Sequence, residues 1–119
     1  MSNRGNNLLF ITDPKGQVIE EGETVELTEA YPEGLDVQPF YTIRVAAGNR
    51  VVSEGAVTFK LIMKVDGDSF LLLDTFTLYP GEKFNRTYNA PGIGLAIKAM
   101  GESVTGVDAV DVALFGYKF

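Results

Sequence analysis

The amino-acid sequence predicts an all-β fold, an antiparallel β-sandwich, and three observations carry that prediction. Apolar and polar residues alternate with period two from Ile43 to the C-terminus, no window sustains the spacing of an amphipathic helix, and turn-forming residues recur at short intervals. Alternation of this kind marks a pleated strand with one face turned inward.

Taken in order, residues 8–12 form a short apolar strand, and Asp13-Pro14-Lys15-Gly16 has the residue order of a type I turn. Residues 17–20 are then expected to pair back on that first strand. Val25 and Leu27 alternate within 24–28, and a stronger strand over 40–46 places Tyr41, Ile43 and Val45 on one face. The clearest alternation is Val57, Phe59, Leu61, Met63 and Val65, interleaved with Thr58, Lys60, Ile62 and Lys64. Asp66-Gly67-Asp68 follows, and an Asp-Gly pair between apolar runs supplies the backbone that a tight hairpin demands. The returning strand covers 70–79 and stops at Pro80-Gly81, because proline cannot donate to a ladder. Residues 83–89 read as the next strand and Ala90-Pro91-Gly92 as a turn. Leu95, Ile97 and Ala99 then alternate, and a final strand over 107–117 carries Val110, Val112 and Leu114 on one face. The total is eight or nine strands, which suits a jelly-roll-like sandwich. Residues 1–7 are polar, with Gly5 and three asparagines, and are expected to be a flexible arm ahead of a single domain over 8–119.

Composition narrows the function classes. The 119 residues suffice for one core, and 45% apolar with 22% charged is an ordinary globular balance. The apolar run at 70–73 is four residues, far below the roughly 20 of a spanning helix, so membrane insertion is not expected. The apolar stretch at 8–11 is also too short for a signal-peptide core of at least ~7 residues, so the chain is expected to be made in the cytoplasm. Net charge is −6, and Glu20, Glu21, Glu23, Glu26, Glu29, Glu33 and Asp36 fall in a stretch with no Lys or Arg. Such a stretch repels polyanions, which argues against nucleic acid as a partner.

Catalytic equipment is sparse. With no His and no Cys, Ser-His and Cys-His nucleophile pairs and the usual zinc ligand sets are excluded. Carboxylate pairs among Asp66, Asp68, Asp74, Asp108 and Asp111 have no spacing that singles one out for glycoside hydrolysis, and the expected protein is not an enzyme and has no cofactor. Asp66-Gly67-Asp68-Ser69 fails the calcium-loop pattern, since the sixth position is Leu71 and the twelfth Thr77. Calcium at a sandwich rim, through Asp66, Asp68 or the acids of 20–26, stays open. Tyr31, Tyr41, Tyr79, Tyr88 and Tyr117 are scattered over different strands and read mainly as core or rim residues.

Surplus apolar residues point toward partners. Ile62, Met100, Phe115 and Phe119 fall on nominal outer faces, and the segment 70–73 is apolar on both faces. A small sandwich has only two inner faces, so the surplus implies coverage by another copy or another protein. Open sheet edges add templates for strand addition. Two readings of residues 8–11 stay open: a strand donated to a neighbour, or the first strand of the chain's own domain.

The second half of the chain, ending in Val110-Asp111-Val112-Ala113-Leu114-Phe115-Gly116-Tyr117, resembles the jelly-roll subunits of endospore appendage fibres of spore-forming bacteria. Length, polar start and strand order carry the resemblance. It implies a non-enzymatic structural subunit that assembles as a homo-oligomer or homopolymer on a cell, spore or virion surface. Cysteines cross-link subunits in that family; none is present here, so cross-linking would be non-covalent. The expected contacts are Leu8, Leu9 and Phe10 as donated strand and Phe115, Tyr117 and Phe119 as receiving edge. The alternative is a small carbohydrate-binding β-sandwich module, with or without calcium.

Overall fold

The structure, a computed structural model, describes residues 6–66, 69–89, 92–103 and 106–118. Among these residues ten strands follow one another: β1 (Asn6–Ile11), β2 (Gln17–Ile19), β3 (Thr24–Glu26), β4 (Leu35–Asp36), β5 (Thr42–Asn49), β6 (Val57–Asp66), β7 (Ser69–Leu78), β8 (Lys83–Asn89), β9 (Gly94–Gly101) and β10 (Asp108–Tyr117). They build two antiparallel sheets. Sheet A has the order β1-β10-β5-β8 with β2 also on β10, and sheet B the order β3-β9-β6-β7 with β4 also on β9. The expected sandwich is present, with one strand beyond the nine that alternation yields. The addition is β4, whose two residues are too few to display a period, although Leu35 is buried in the core.

The sheets meet through every second side chain. Ile43 and Val45 of β5, Phe59 and Leu61 of β6, Ile97 of β9 and Leu114 of β10 are all fully buried. Each such side chain taken out of water contributes about 1.5–3 kcal/mol, so the register of these inner strands is strongly specified. An aromatic ladder extends the core sideways. The Phe59 ring stacks on Phe76 at 5.1 Å, and Phe76 on Phe84 of the opposite sheet at 3.7 Å.

Two expectations are corrected. β2 does not fold back on β1; both run antiparallel to β10 and share its edge, Ile11 opposite Ala113 and Gln17 opposite Val110. The turn between them, closed by the Gly16 N–H on the Asp13 carbonyl at 2.7 Å, is an excursion from that edge and not a reversal. Tyr41 does not share the inner face of Ile43 and Val45: it precedes β5 and is 73% exposed, while Phe40 is the buried aromatic at that end. Most of the expected arm (residues 1–5), Gly67 and Asp68 of the hairpin, Ala90-Pro91 and Phe119 lie outside the described residues. Asn6 and Asn7, also read as arm, belong to β1.

Buried polar groups tie the ends of the sandwich, and alternation does not announce them. The Thr12 hydroxyl accepts from the Val112 N–H at 3.0 Å, and the Asn49 amide donates to the Gly55 and Leu78 carbonyls at 3.0 and 2.9 Å. Asp108, 1% exposed, accepts from the Gly55 N–H at 2.9 Å. Truncation in the core should dominate any surface change. Phe59→Ala is expected to cost about 3–5 kcal/mol in urea titrations, whereas Val51→Ala, at a position 80% exposed, should stay within about 0.5 kcal/mol of the parent.

Candidate assembly surfaces

The structure seats β1 in the chain's own sheet. Asn7 lies opposite Gly116, Leu8 opposite Phe115 and Phe10 opposite Leu114, with a bulge at Leu9. Of the two readings left open for residues 8–11, this is the first strand of the chain's own domain. Leu9 and Phe10 pack against the core, so they do not meet the outer-face residues. Leu8, 52% exposed, faces outward with Phe115 and Tyr117, as does Ile11.

The outer face of sheet A is therefore where three of the expected contact residues converge. The Arg44 guanidinium lies 4.4 Å from the Phe115 ring centroid and donates to the Tyr117 hydroxyl at 2.9 Å, which holds both aromatic side chains in place. Beside them Ala46, Gly48 and Ala113 floor a shallow depression of about 410 Å³ walled by Ile11 and Pro14. Small residues on neighbouring strands leave that hollow, and larger apolar ones beside it stand up as a ridge. Arg50 pins the adjacent turn: it pairs with both Asp111 carboxylate oxygens at 2.8 and 2.9 Å and donates to the Pro14 carbonyl at 2.8 Å. Its hydrogen bond to Asp111 holds the guanidinium pKa above its ordinary value.

A second apolar surface lies on the edge of sheet B. Phe70, Leu71 and Leu72 of β7 are each more than half exposed. A bulge between the Leu61–Asp74 and Ile62–Leu72 pairs interrupts the regular face just there. In the middle of β7 the edge is closed by polar chemistry. Asp74 accepts from the Tyr88 hydroxyl at 2.6 Å, from Arg86 at 2.9 Å and from the Thr75 N–H at 2.8 Å. Burial alone would push the Asp74 carboxyl up, but the bond from Tyr88, the Thr75 amide and Arg86 together lower it. Burial, followed by the bond to Asp74, raises the Tyr88 hydroxyl far above the usual phenol range. The clamp joins the two sheets on the side where β7 and β8 run past each other.

The five tyrosines do not form a platform. Tyr31 lies in the segment between β3 and β4, Tyr41 and Tyr79 lie at opposite ends of the sandwich, and Tyr88 and Tyr117 are half-buried on their hydrogen-bonding partners. Among the described residues no three acidic side chains converge on a cation position, and Asp68 of the rim set lies outside them. No described helix is long and apolar enough to cross a membrane.

No family model matches the chain, and no curated protein matches its sequence. Its architecture recurs among solved structures. A protein solved as PirA superposes with a TM-score of 0.52 at 9% identity, over 98% of this chain and 96% of that one. A protein of Bacillus endospore appendages, from a family of disulfide-linked pili, gives a TM-score of 0.53 at 10% identity over 98% and 93%. The Tobacco streak virus coat protein covers 98% of this chain and 89% of its own at 12% identity and a TM-score of 0.42. The resemblance to endospore appendage subunits thus extends over nearly the whole chain, and it is a likeness of fold.

The clamp has a pH signature. In the folded chain Tyr88 keeps its proton where an unfolded tyrosine loses it, so its contribution is complete below about pH 10 and fades as pH rises further. Asp74 is the reverse, contributing fully above about pH 4 and losing that contribution as pH falls. Tyr88→Phe should therefore cost about 1.5–3 kcal/mol at neutral pH and flatten both limbs of a plot of unfolding free energy against pH.

Proposed function

We propose that this chain is a non-enzymatic structural subunit that associates with copies of itself through the outer face of sheet A and the open β7 edge. The observation that carries the proposal is the ridge of Leu8 and Phe115 standing beside the hollow floored by Ala46 and Ala113. A ridge and a hollow on one face are what a second copy needs to match, since the ridge of each fills the hollow of the other. The β7 edge lies on a different side of the molecule and offers a further contact at Leu71 and Leu72, so association can propagate instead of stopping at a pair.

The expected contact set is modified accordingly. Leu8, Phe115 and Tyr117 are kept as face contacts, Ile11 is added, and Leu9 and Phe10 act from beneath by fixing β1 on β10. A single domain over 8–119 suits this role, because both sheets share one core. Sharing a fold with an appendage pilus protein supports a fibre, spore surface layer or virion as the setting, with placement on a cell, spore or virion surface. The absence of cysteine from these 119 residues leaves no disulfide cross-link at such contacts.

Light scattering behind size exclusion, with negative-stain microscopy, should show oligomers or filaments that grow with concentration. Leu8→Asp combined with Ile11→Asp should reduce them to monomer with the melting temperature preserved, since both side chains are mostly exposed. A parent protein that stays monomeric at its highest soluble concentration would end the proposal.

A further inference from the structure

The outer face of sheet B, opposite the proposed assembly face, carries a trough with different chemistry. A cleft of about 390 Å³ bounded by Pro32, Glu33 and Phe70 runs into a second of about 240 Å³ bounded by Thr24, Thr58 and Met100. Ile62 and Lys98 line both, so the two form one channel along β6 and β9. From Lys64 to Thr58 it spans about 20 Å at the usual strand rise.

The lysines of this channel are arranged at a cost. Lys98 lies directly opposite Lys60 on the neighbouring strand, and like charges in that position repel. Glu26 stands opposite Lys98 on its other side, yet neither lysine forms an ion pair among the described residues, and Lys98 is half-buried. Lys64 differs, being paired with Glu33. Two adjacent cations without partners in a chain of net charge −6 form a local anion-attracting point.

The surroundings define what kind of anion fits. Glu26 and Glu33 flank the channel, so duplex nucleic acid, with one charge per ~1.7 Å of its axis, is repelled more strongly than a single chain with one carboxylate per ring. Both β6 and β9 are interior strands, with neighbours on each edge, so no free backbone groups are offered to a peptide adding as a strand. Recognition rests on side chains: an exposed aromatic ring at one end, Phe70, 53% exposed; an apolar floor of Ile62 and Ala96; and the hydroxyl of Thr24 at the other end, beside Thr58, whose own hydroxyl is held by Glu102 and Thr77. A ring face at one end, a hydroxyl at the other and a central cation pair match a pyranose chain that carries carboxylates. We propose that this trough binds a uronate-bearing oligosaccharide, with a sugar ring on Phe70 and a carboxylate at Lys98 and Lys60.

The test is calorimetry of the full chain with oligogalacturonate, oligomannuronate and oligoglucuronate, set against a neutral cello-oligosaccharide of equal length. At least one uronate series should bind ten times tighter than the neutral sugar or better, and lose affinity as salt is raised. Lys98→Gln should remove that margin, Lys60→Gln part of it, and Phe70→Ala should weaken acidic and neutral sugars alike by about tenfold. An unchanged melting temperature confirms that each variant is folded. No binding by any uronate series, or a margin untouched by Lys98→Gln, would overturn the assignment. So would equal binding of poly-glutamate or of a single-stranded oligonucleotide of matched charge.

Discussion

Strict alternation across two sheets is the constraint on which the rest of this molecule depends. A strand has two faces and no other option, so a slip of one residue would carry Phe59, Leu61 and Met63 to solvent and Lys60 and Lys64 into the core. Each alternating strand must therefore keep its phase relative to its neighbours. The long strands β5, β6, β9 and β10 do so in uninterrupted register, Val110 to Tyr117 against Asn49 to Thr42 and Val57 to Lys64 against Gly101 to Gly94. Interruptions are confined to the outer strands, where β1 and β7 carry bulges. The bulges lie beside exposed apolar side chains, Leu8 on β1 and Leu71 and Leu72 on β7.

The two lateral sides of the sandwich are closed by different means. Where β7 and β8 run past each other, a carboxylate, a phenol and a guanidinium join the sheets beside three stacked rings. At the β10 edge closure is by backbone, supplied by β1 and β2 in succession, with Arg50 bracing the turn between them. The clamp fixes the β7 edge at Asp74 and leaves the stretch before it, from Phe70 to Leu72, uncovered. Stability and exposure thus sit within a few residues of one another on one strand.

Much of this architecture is legible in the amino-acid sequence. The alternation in β6, β9 and β10 gave strand identity and inner face because each is long and has one face buried. Pro80-Gly81 marked its turn, where Gly81 adopts a φ of 90°. What was not legible follows from the same physics. β4 is too short to have a period, and the pairing of β2 depends on a partner some ninety residues away, which local pattern does not encode. Outer-face residues were the least accessible. Lys60 and Lys98 each look like ordinary solvent-facing lysines in their own strands, and only the register between β6 and β9 makes them opposite neighbours. Leu8, Phe115 and Tyr117 were read as contact residues from their apolar character at the chain ends, and the pairing of β1 with β10 is what puts them on one face.

The edge shared by β1 and β2 has a kinetic side. Thr12 and Val112 bond to each other across 100 residues, so β10 must find a strand far behind it in the chain. Until that closure, β10 exposes a row of unmatched amides beside residues that already pair with β5. Any nascent or refolding neighbour carries the same β1, and at high local concentration its arrival competes with closure within the chain. An intermolecular exchange of this strand would recreate every contact of the closed form, so slow ring closure gives the molecule a route to entangled dimers that involves no new interaction at all.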